Sequence, residues 1–112
     1  GHLVGDEVLR HLSALLRREL RPHDVLARFG GEEFVLVLDD LRLADALVLA
    51  ERLRARIAST EVALADAVVR FTASLGVAGS DRHGYDLIRL ISAGDAALYQ
   101  AKRDGRNRVG AG

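Results

Sequence analysis

Val25-Leu26-Ala27-Arg28-Phe29-Gly30-Gly31-Glu32-Glu33-Phe34-Val35-Leu36-Val37-Leu38 is the stretch whose reading decides the fold. Residues 25–29 and 33–38 are rich in branched and aromatic side chains, the composition of strands. Between them Gly30-Gly31-Glu32 forms a turn, because glycine accepts positive φ at no steric cost, so the whole reads as a hairpin. Residues 34–38 are apolar on both faces. That pattern predicts a covered strand, with helices packed on at least one side of its sheet.

Outward from the hairpin, helical patterns appear on both sides. Over residues 6–20, Val8, Leu9, Leu12, Leu15, Leu16 and Leu20 mark one face and leave Arg10, Arg17, Arg18 and Glu19 for solvent. Pro22 disfavours helical geometry at Arg21, so this helix should stop there. A second helix is expected over 43–59, where Leu43, Ala46, Leu47, Ala50, Leu53 and Ile57 form another stripe. Residues 61–80 read as mostly strand, firmest at Phe71-Thr72-Ala73-Ser74-Leu75-Gly76-Val77. A third helix over 85–103 should end at Gly105, and 107–109 should add a short final strand. The order helix, hairpin, helix, strand, helix is that of an α/β protein, an α+β sandwich with helices layered on a sheet. The opening helix has no strand before it.

Composition narrows the class. A chain of 112 residues has the size of one domain, and 49% hydrophobic residues can bury a real core. Lys plus Arg and Asp plus Glu are both 16, so the net charge is zero, which argues against a general nucleic-acid binder. A small anionic ligand is still compatible, since it needs only a few local cations. Without cysteine there is neither a disulfide framework nor a cysteine zinc site. No apolar run approaches the ~20 residues that span a bilayer, and no signal-peptide pattern opens the chain. The expectation is a cytoplasmic protein whose domain makes no membrane contact. Methionine is absent even from position 1, from which a piece of a longer protein is expected.

The hairpin tip carries chemistry as well as a turn. Two glycines let a polyphosphate approach the backbone closely, and two adjacent carboxylates offer the oxygen ligands that Mg²⁺ prefers. By itself the pentapeptide is equally well a Gly-Gly turn with two solvated glutamates.

Four further patterns decide between these. Gly30-Gly31-Glu32-Glu33-Phe34 resembles the GGDEF or GGEEF motif of diguanylate cyclases. Gly1-His2-Leu3-Val4-Gly5-Asp6 is similar to the family's G-H-x-x-G-D, and Thr72-Ala73-Ser74-Leu75-Gly76-Val77 to its T-x-S-x-G-V strand. Asp95-Ala96-Ala97-Leu98-Tyr99-Gln100-Ala101-Lys102 matches D-x-A-L-Y-x-A-K, and Gly105-Arg106-Asn107-Arg108-Val109 matches G-R-N-x-V. All five occur in order and cover the chain almost end to end.

The resemblance implies the GGDEF fold, related to nucleotidyl cyclases and the polymerase palm, with a central, mainly antiparallel sheet flanked by helices. Residues 1–112 would be a single partial domain of that kind. It implies condensation of two GTP into cyclic di-GMP and two pyrophosphates, with Mg²⁺ or Mn²⁺ as cofactor. Gly30, Gly31, Glu32 and Glu33 would form the catalytic loop. Glu32 would ligate metal at the triphosphate, and Glu33 would support the metal or help deprotonate the attacking 3′-hydroxyl. Asp6 would accept hydrogen bonds from guanine, selecting GTP over ATP; otherwise it is a helix N-cap. Leu9 would pack on the base, while Arg28, Lys102 and Arg106 would meet phosphate.

Arg21-Pro22-His23-Asp24 is similar to the family's inhibitory R-x-x-D, with Arg52 as its further arginine, so feedback inhibition by cyclic di-GMP is implied. The implied partners are a second GGDEF domain in a two-fold homodimer and an N-terminal sensor or receiver domain. A degenerate domain acting as a GTP or cyclic di-GMP receptor is the alternative. An adenylate-type cyclase lacks support in these motifs.

The sequence also departs from the family. The first strand, with its metal-binding Asp, and the D-x-F-K-x-x-N-D segment, whose Asn reads guanine, are not present. The 112 residues alone are therefore expected to be inactive and marginally stable, with a long apolar strand edge exposed.

Overall fold

The structure, a computed structural model, describes residues 2–29 and 31–112. In chain order its elements are α1 (His2–Glu19), β1 (Val25–Arg28), β2 (Phe34–Val37), α2 (Leu43–Ser59), β3 (Glu61–Ala63), β4 (Val68–Arg70), β5 (Leu75–Val77), α3 (Ser80–His83), α4 (Leu87–Arg103) and β6 (Val109–Ala111). They form two compact units, one containing α1 and β1 to β4, the other α2, β5, α3, α4 and β6.

In the first unit, β1 and β2 pair antiparallel, Arg28 opposite Phe34 and Val25 opposite Val37. β3 and β4 form a second antiparallel ladder. The hairpin is the expected one, closed where Phe29 N–H donates to the Glu33 carbonyl at 2.8 Å. The expected full cover of β2 is not found. Phe34, Val35 and Leu36 are half-buried, and the facing Val25 and Val37 are 54% and 40% exposed. The reason is local: β1 and β2 make a two-stranded ribbon, with no third strand bonded to either among the described residues. α1 starts before Asp6, so this residue lies inside the helix and is not its N-cap. Leu15 and Leu16 are the buried part of its apolar face.

The second unit is a helix-on-strand layer. β5 and β6 pair in parallel, Gly76 opposite Gly110, and both α2 and α4 pack on them. α2 spans the residues expected of it and buries Leu43, Ala46, Ala50, Leu53 and Ile57. α4 lies unusually close to the strands. A Cβ on Gly76 would overlap the Gly94 carbonyl oxygen and the Leu98 backbone, and one on Gly110 would come within 2.5 Å of the Ala97 carbonyl oxygen. Ala97 and Ala101, the buried residues of α4, are correspondingly small.

Three further boundaries differ from the sequence reading. Residues 71–74, expected as firm strand, are irregular, because the ladder of β5 with β6 begins only at Leu75. The expected helix from 85 starts two residues later, at Leu87. Asp86 caps α4, accepting from the Ile88 and Arg89 amides, and the separate single turn α3 precedes it. The last strand starts at Val109 and not at 107, because Arg106 and Asn107 take left-handed φ of 62° and 49°, which no strand accommodates.

Gly76→Ala should therefore lower unfolding stability by about 1–3 kcal/mol through overpacking, measured by urea denaturation followed by circular dichroism. Gly94→Ala, whose added Cβ meets only the Gly76 carbonyl oxygen at 3.7 Å, should leave stability unchanged or raise it by up to about 1 kcal/mol through helix propensity.

Candidate functional site

The hairpin loop is held by its own arginine. Arg28, the last residue of β1, donates from Nε and Nη2 to the Gly31 carbonyl at 2.9 and 2.6 Å. Gly31 sits at φ 38°, the left-handed conformation that glycine permits. The Arg28 guanidinium, expected at phosphate, is in this state spent on fixing the loop. Glu32 and Glu33 are exposed beside it, and Gly30 lies outside the described residues.

Between α1 and the hairpin lies a cavity of about 450 Å³, lined by Asp6, Leu9, Arg10, Ser13, Arg17, Leu26, Arg28 and Phe34. It brings together three residues expected at substrate, Asp6, Leu9 and Arg28. The helix contributes positions i, i+3, i+4, i+7 and i+11 from Asp6, which is one continuous face. The strands contribute Leu26 and Arg28, two residues apart and so on one face of β1, with Phe34 directly across from Arg28. The wall combines apolar side chains with one carboxylate and three guanidiniums. A site this size suits a heteroaromatic ring with polar edges and an anionic tail.

Sequence reasoning missed Arg10, Ser13 and Arg17 at this wall. The helical spacing from Asp6 could have found them. Leu26 and Phe34 needed the strand register, which the sequence alone did not provide.

The other expected phosphate cations belong to the second unit. Lys102 is in the last turn of α4, and Arg106 follows its end, both exposed. The helix stops as the sequence indicated, in a Schellman arrangement. Arg106 N–H donates to the Ala101 carbonyl at 3.0 Å and Gly105 N–H to that of Lys102 at 3.4 Å, with Gly105 at φ 124°. Arg54 of α2 holds the next residue, donating from Nη1 to Asn107 Oδ1 at 2.8 Å. Asn107 N–H in turn donates to Ser74 Oγ at 3.2 Å. Backbone bonds fix the turn from Lys102 to Arg106, and side-chain bonds hold Asn107 just after it.

The R-x-x-D residues are paired with each other. Arg21 Nη2 donates to Asp24 Oδ1 at 2.9 Å and Nε to Oδ2 at 3.2 Å, while Arg21 N–H donates to Oδ2 at 2.8 Å. Arg21 Nη2 also reaches the Asp39 carbonyl oxygen at 2.5 Å. The Asp24 side chain is only 1% exposed. Its hydrogen bonds with Arg21, outweighing the cost of burial, hold its carboxyl below the ordinary aspartate range. Arg52 is exposed on α2, in the other unit.

For a metal, Glu32 and Glu33 offer the hard oxygen donors that suit Mg²⁺ or Mn²⁺. No group of three or more acidic, histidine or cysteine side chains gathers for a metal among the described residues. The pair therefore fits as two ligands of such a site.

The fold is the palm-like one of GGDEF cyclase domains, and residues 1–108 match the family model described as diguanylate cyclase, GGDEF domain. The chain belongs to the GGDEF family of diguanylate cyclases. It is 40% identical over 111 residues to the response regulator PleD of Caulobacter vibrioides and 41% identical over 110 residues to the diguanylate cyclase DosC of Escherichia coli. Each match covers 97% of this chain but 24% of the relative, so the chain spans about a quarter of their length. The diguanylate cyclase SiaD of Pseudomonas aeruginosa, solved in complex with its activator SiaC, superimposes with a TM-score of 0.90 at 38% identity. That likeness covers all of this chain and 43% of SiaD. Among the described residues no helix is long and apolar enough to cross a membrane.

Arg21→Ala should destabilise the fold at neutral pH, since it leaves the Asp24 carboxylate short of donors. Because the folded Asp24 carboxyl titrates below its unfolded value, this contribution is complete above about pH 3.9 and is lost as pH falls through the folded value. Urea unfolding of both proteins at neutral pH and at acid pH should show the gap between them closing on acidification.

Proposed function

We propose that this chain is a diguanylate cyclase domain that holds one GTP, with guanine in the α1–hairpin cavity and the triphosphate toward the hairpin loop. The observation that carries this reading is that one cavity is lined together by Asp6, Leu9 and Arg28. Guanine presents adjacent N1–H and N2–H donors, which a carboxylate such as that of Asp6 accepts; adenine does not. Leu9, Leu26 and Phe34 supply the apolar contact for the ring.

Two such domains, facing each other across a two-fold axis, would each present a 3′-hydroxyl to the partner's α-phosphorus. The 3′-oxygen forms a bond to phosphorus, the bond from that phosphorus to the bridging oxygen of the β-phosphate breaks, and pyrophosphate leaves. The hydroxyl proton goes to Glu33. Two such transfers close cyclic di-GMP and release two pyrophosphates. Mg²⁺ or Mn²⁺ held by Glu32, with Glu33 beside it, would neutralise triphosphate charge. The Gly31 backbone would admit the polyphosphate closely, and for Lys102 and Arg106 a phosphate role rests on the family resemblance alone.

The family resemblance and the partial exposure of Arg21 support a second role at Arg21 and Asp24, to which the resemblance alone adds Arg52. There cyclic di-GMP would bind and inhibit, guanidinium on phosphate or base and carboxylate on guanine N–H groups. The ion pair of Arg21 and Asp24 has to loosen for this, so inhibitor binding competes with a stabilising contact.

The test is nucleotide binding by calorimetry; since the 112 residues alone are expected to be inactive, product is sought by chromatography with GTP and Mg²⁺ from a full-length GGDEF domain that carries this segment. Wild-type chain should bind GTP well ahead of ATP, and Asp6→Asn should weaken GTP by about tenfold or more, the worth of a hydrogen bond to a charged group. Equal binding of GTP and ATP, with Asp6→Asn without effect, would sink the guanine assignment. Cyclic di-GMP binding without turnover in any dimeric context would leave a receptor in place of the cyclase.

A further inference from the structure

Asp6 is not the only polar side chain at its end of the cavity. Arg10 lines the same wall, one helical turn further along α1, where side chains four residues apart emerge as neighbours about 5–6 Å from one another. Glu7 braces it, accepting from Arg10 Nη1 at 3.1 Å. The contact engages a single terminal nitrogen, and Nε and Nη2 keep their donors. The Arg10–Glu7 pair is exposed, with 74% of the arginine side chain accessible, so moving Nε and Nη2 onto a ligand costs little packing.

Purine chemistry gives these two neighbours complementary tasks. Guanine carries donors at N1 and N2 and, on the adjoining edge, acceptors at O6 and N7. A carboxylate fits the first edge, and an arginine fork fits the second, the commonest specific pairing of arginine with guanine. A carboxylate and a guanidinium spaced by one turn match the sequence of donors and acceptors around the ring. In adenine the 6-position is a donor and N1 an acceptor, which opposes Arg10 and Asp6 at once. Arg17 cannot share the task. Eleven residues of helix separate it from Asp6, a rise of about 16 Å, well beyond the width of a purine.

We propose that Arg10 is a specificity-determining residue that reads the O6 and N7 edge of the guanine whose N1 and N2 edge Asp6 accepts. The inference rests on the reading that the cavity holds the base of GTP, and it adds a residue and an edge to it. Glu7 holds one terminal nitrogen of the guanidinium and leaves Nε and Nη2 for the base.

The experiment measures calorimetric affinities of GTP, 7-deaza-GTP (in which N7 is a C–H) and ATP for the 112-residue chain and its Arg10→Ala, Arg10→Lys and Asp6→Asn variants. Wild type should prefer GTP to 7-deaza-GTP by about tenfold. Arg10→Ala should weaken GTP by a similar factor and abolish that preference, because the partner of N7 is gone. Arg10→Lys, with one donor in place of a fork, should recover only part of it. Asp6→Asn should weaken GTP yet keep the preference, since it acts on the other edge. If Arg10→Ala leaves the GTP to 7-deaza-GTP ratio at its wild-type value, the inference is overturned while the guanine site stands. If Asp6→Asn is silent and ATP binds as well as GTP, the underlying site assignment fails and takes the inference with it. Circular dichroism confirms that the exposed Arg10 position tolerates both changes.

Discussion

The close seating of α4 on the β5–β6 pair is the contact on which the second unit depends. Gly76 and Gly110 stand opposite each other, and the α4 backbone lies where their Cβ atoms would have been. Packing this tight leaves no freedom to slide or rotate the helix, because any side chain at those positions would meet main-chain atoms. The end of α4 is fixed with it. Lys102 belongs to the last turn, and the Schellman bonds define where Arg106 leaves. A packing constraint among residues with no side chains thus sets where two cationic side chains stand.

The first unit works by a different rule. Its hairpin is a two-stranded ribbon, which is marginal by itself in water, and its organising contacts are polar: the Arg28 fork on Gly31 at the tip, and the Arg21 fork on Asp24 at the base. The exposed Val25 and Val37 pair shows how little apolar cover the ribbon has. Arginine therefore does two jobs here. Some guanidiniums hold backbone in place, and others on α1 line the cavity.

Much of this was legible in the sequence, for physical reasons that differ element by element. α2 could be read residue for residue, because its apolar positions recur at helical spacing without interruption and five of the six are buried. The hairpin was legible because two glycines separate two strand-forming runs. The start of α1 was not, since Gly5 and Asp6 look like a helix boundary and are interior to it. Residues 71–74 carry strand-forming side chains but lack a ladder partner, and a strand is defined by its partner. α3, a single turn, is too short for any period to show. At the site, Asp6, Leu9 and Arg28 were named from motif resemblance, and the cavity gathers all three. Arg10 and Ser13 were hidden because charged and hydroxyl side chains on a helix read as its solvent face, whereas Leu26 and Phe34 read as core until the cross-strand register placed them.

The clasp of Arg28 on the Gly31 carbonyl has one more consequence. A loop of glycines is ordinarily floppy, and an anion arriving at it must first freeze it, at an entropic cost of about 1–2 kcal/mol per residue. Here a side chain of the same hairpin has already closed the ring, so part of that ordering was completed during folding. For a polyanion proposed to bind there, the worth of Arg28 would lie in the order it has already given Gly31, separate from any contact of its own with phosphate.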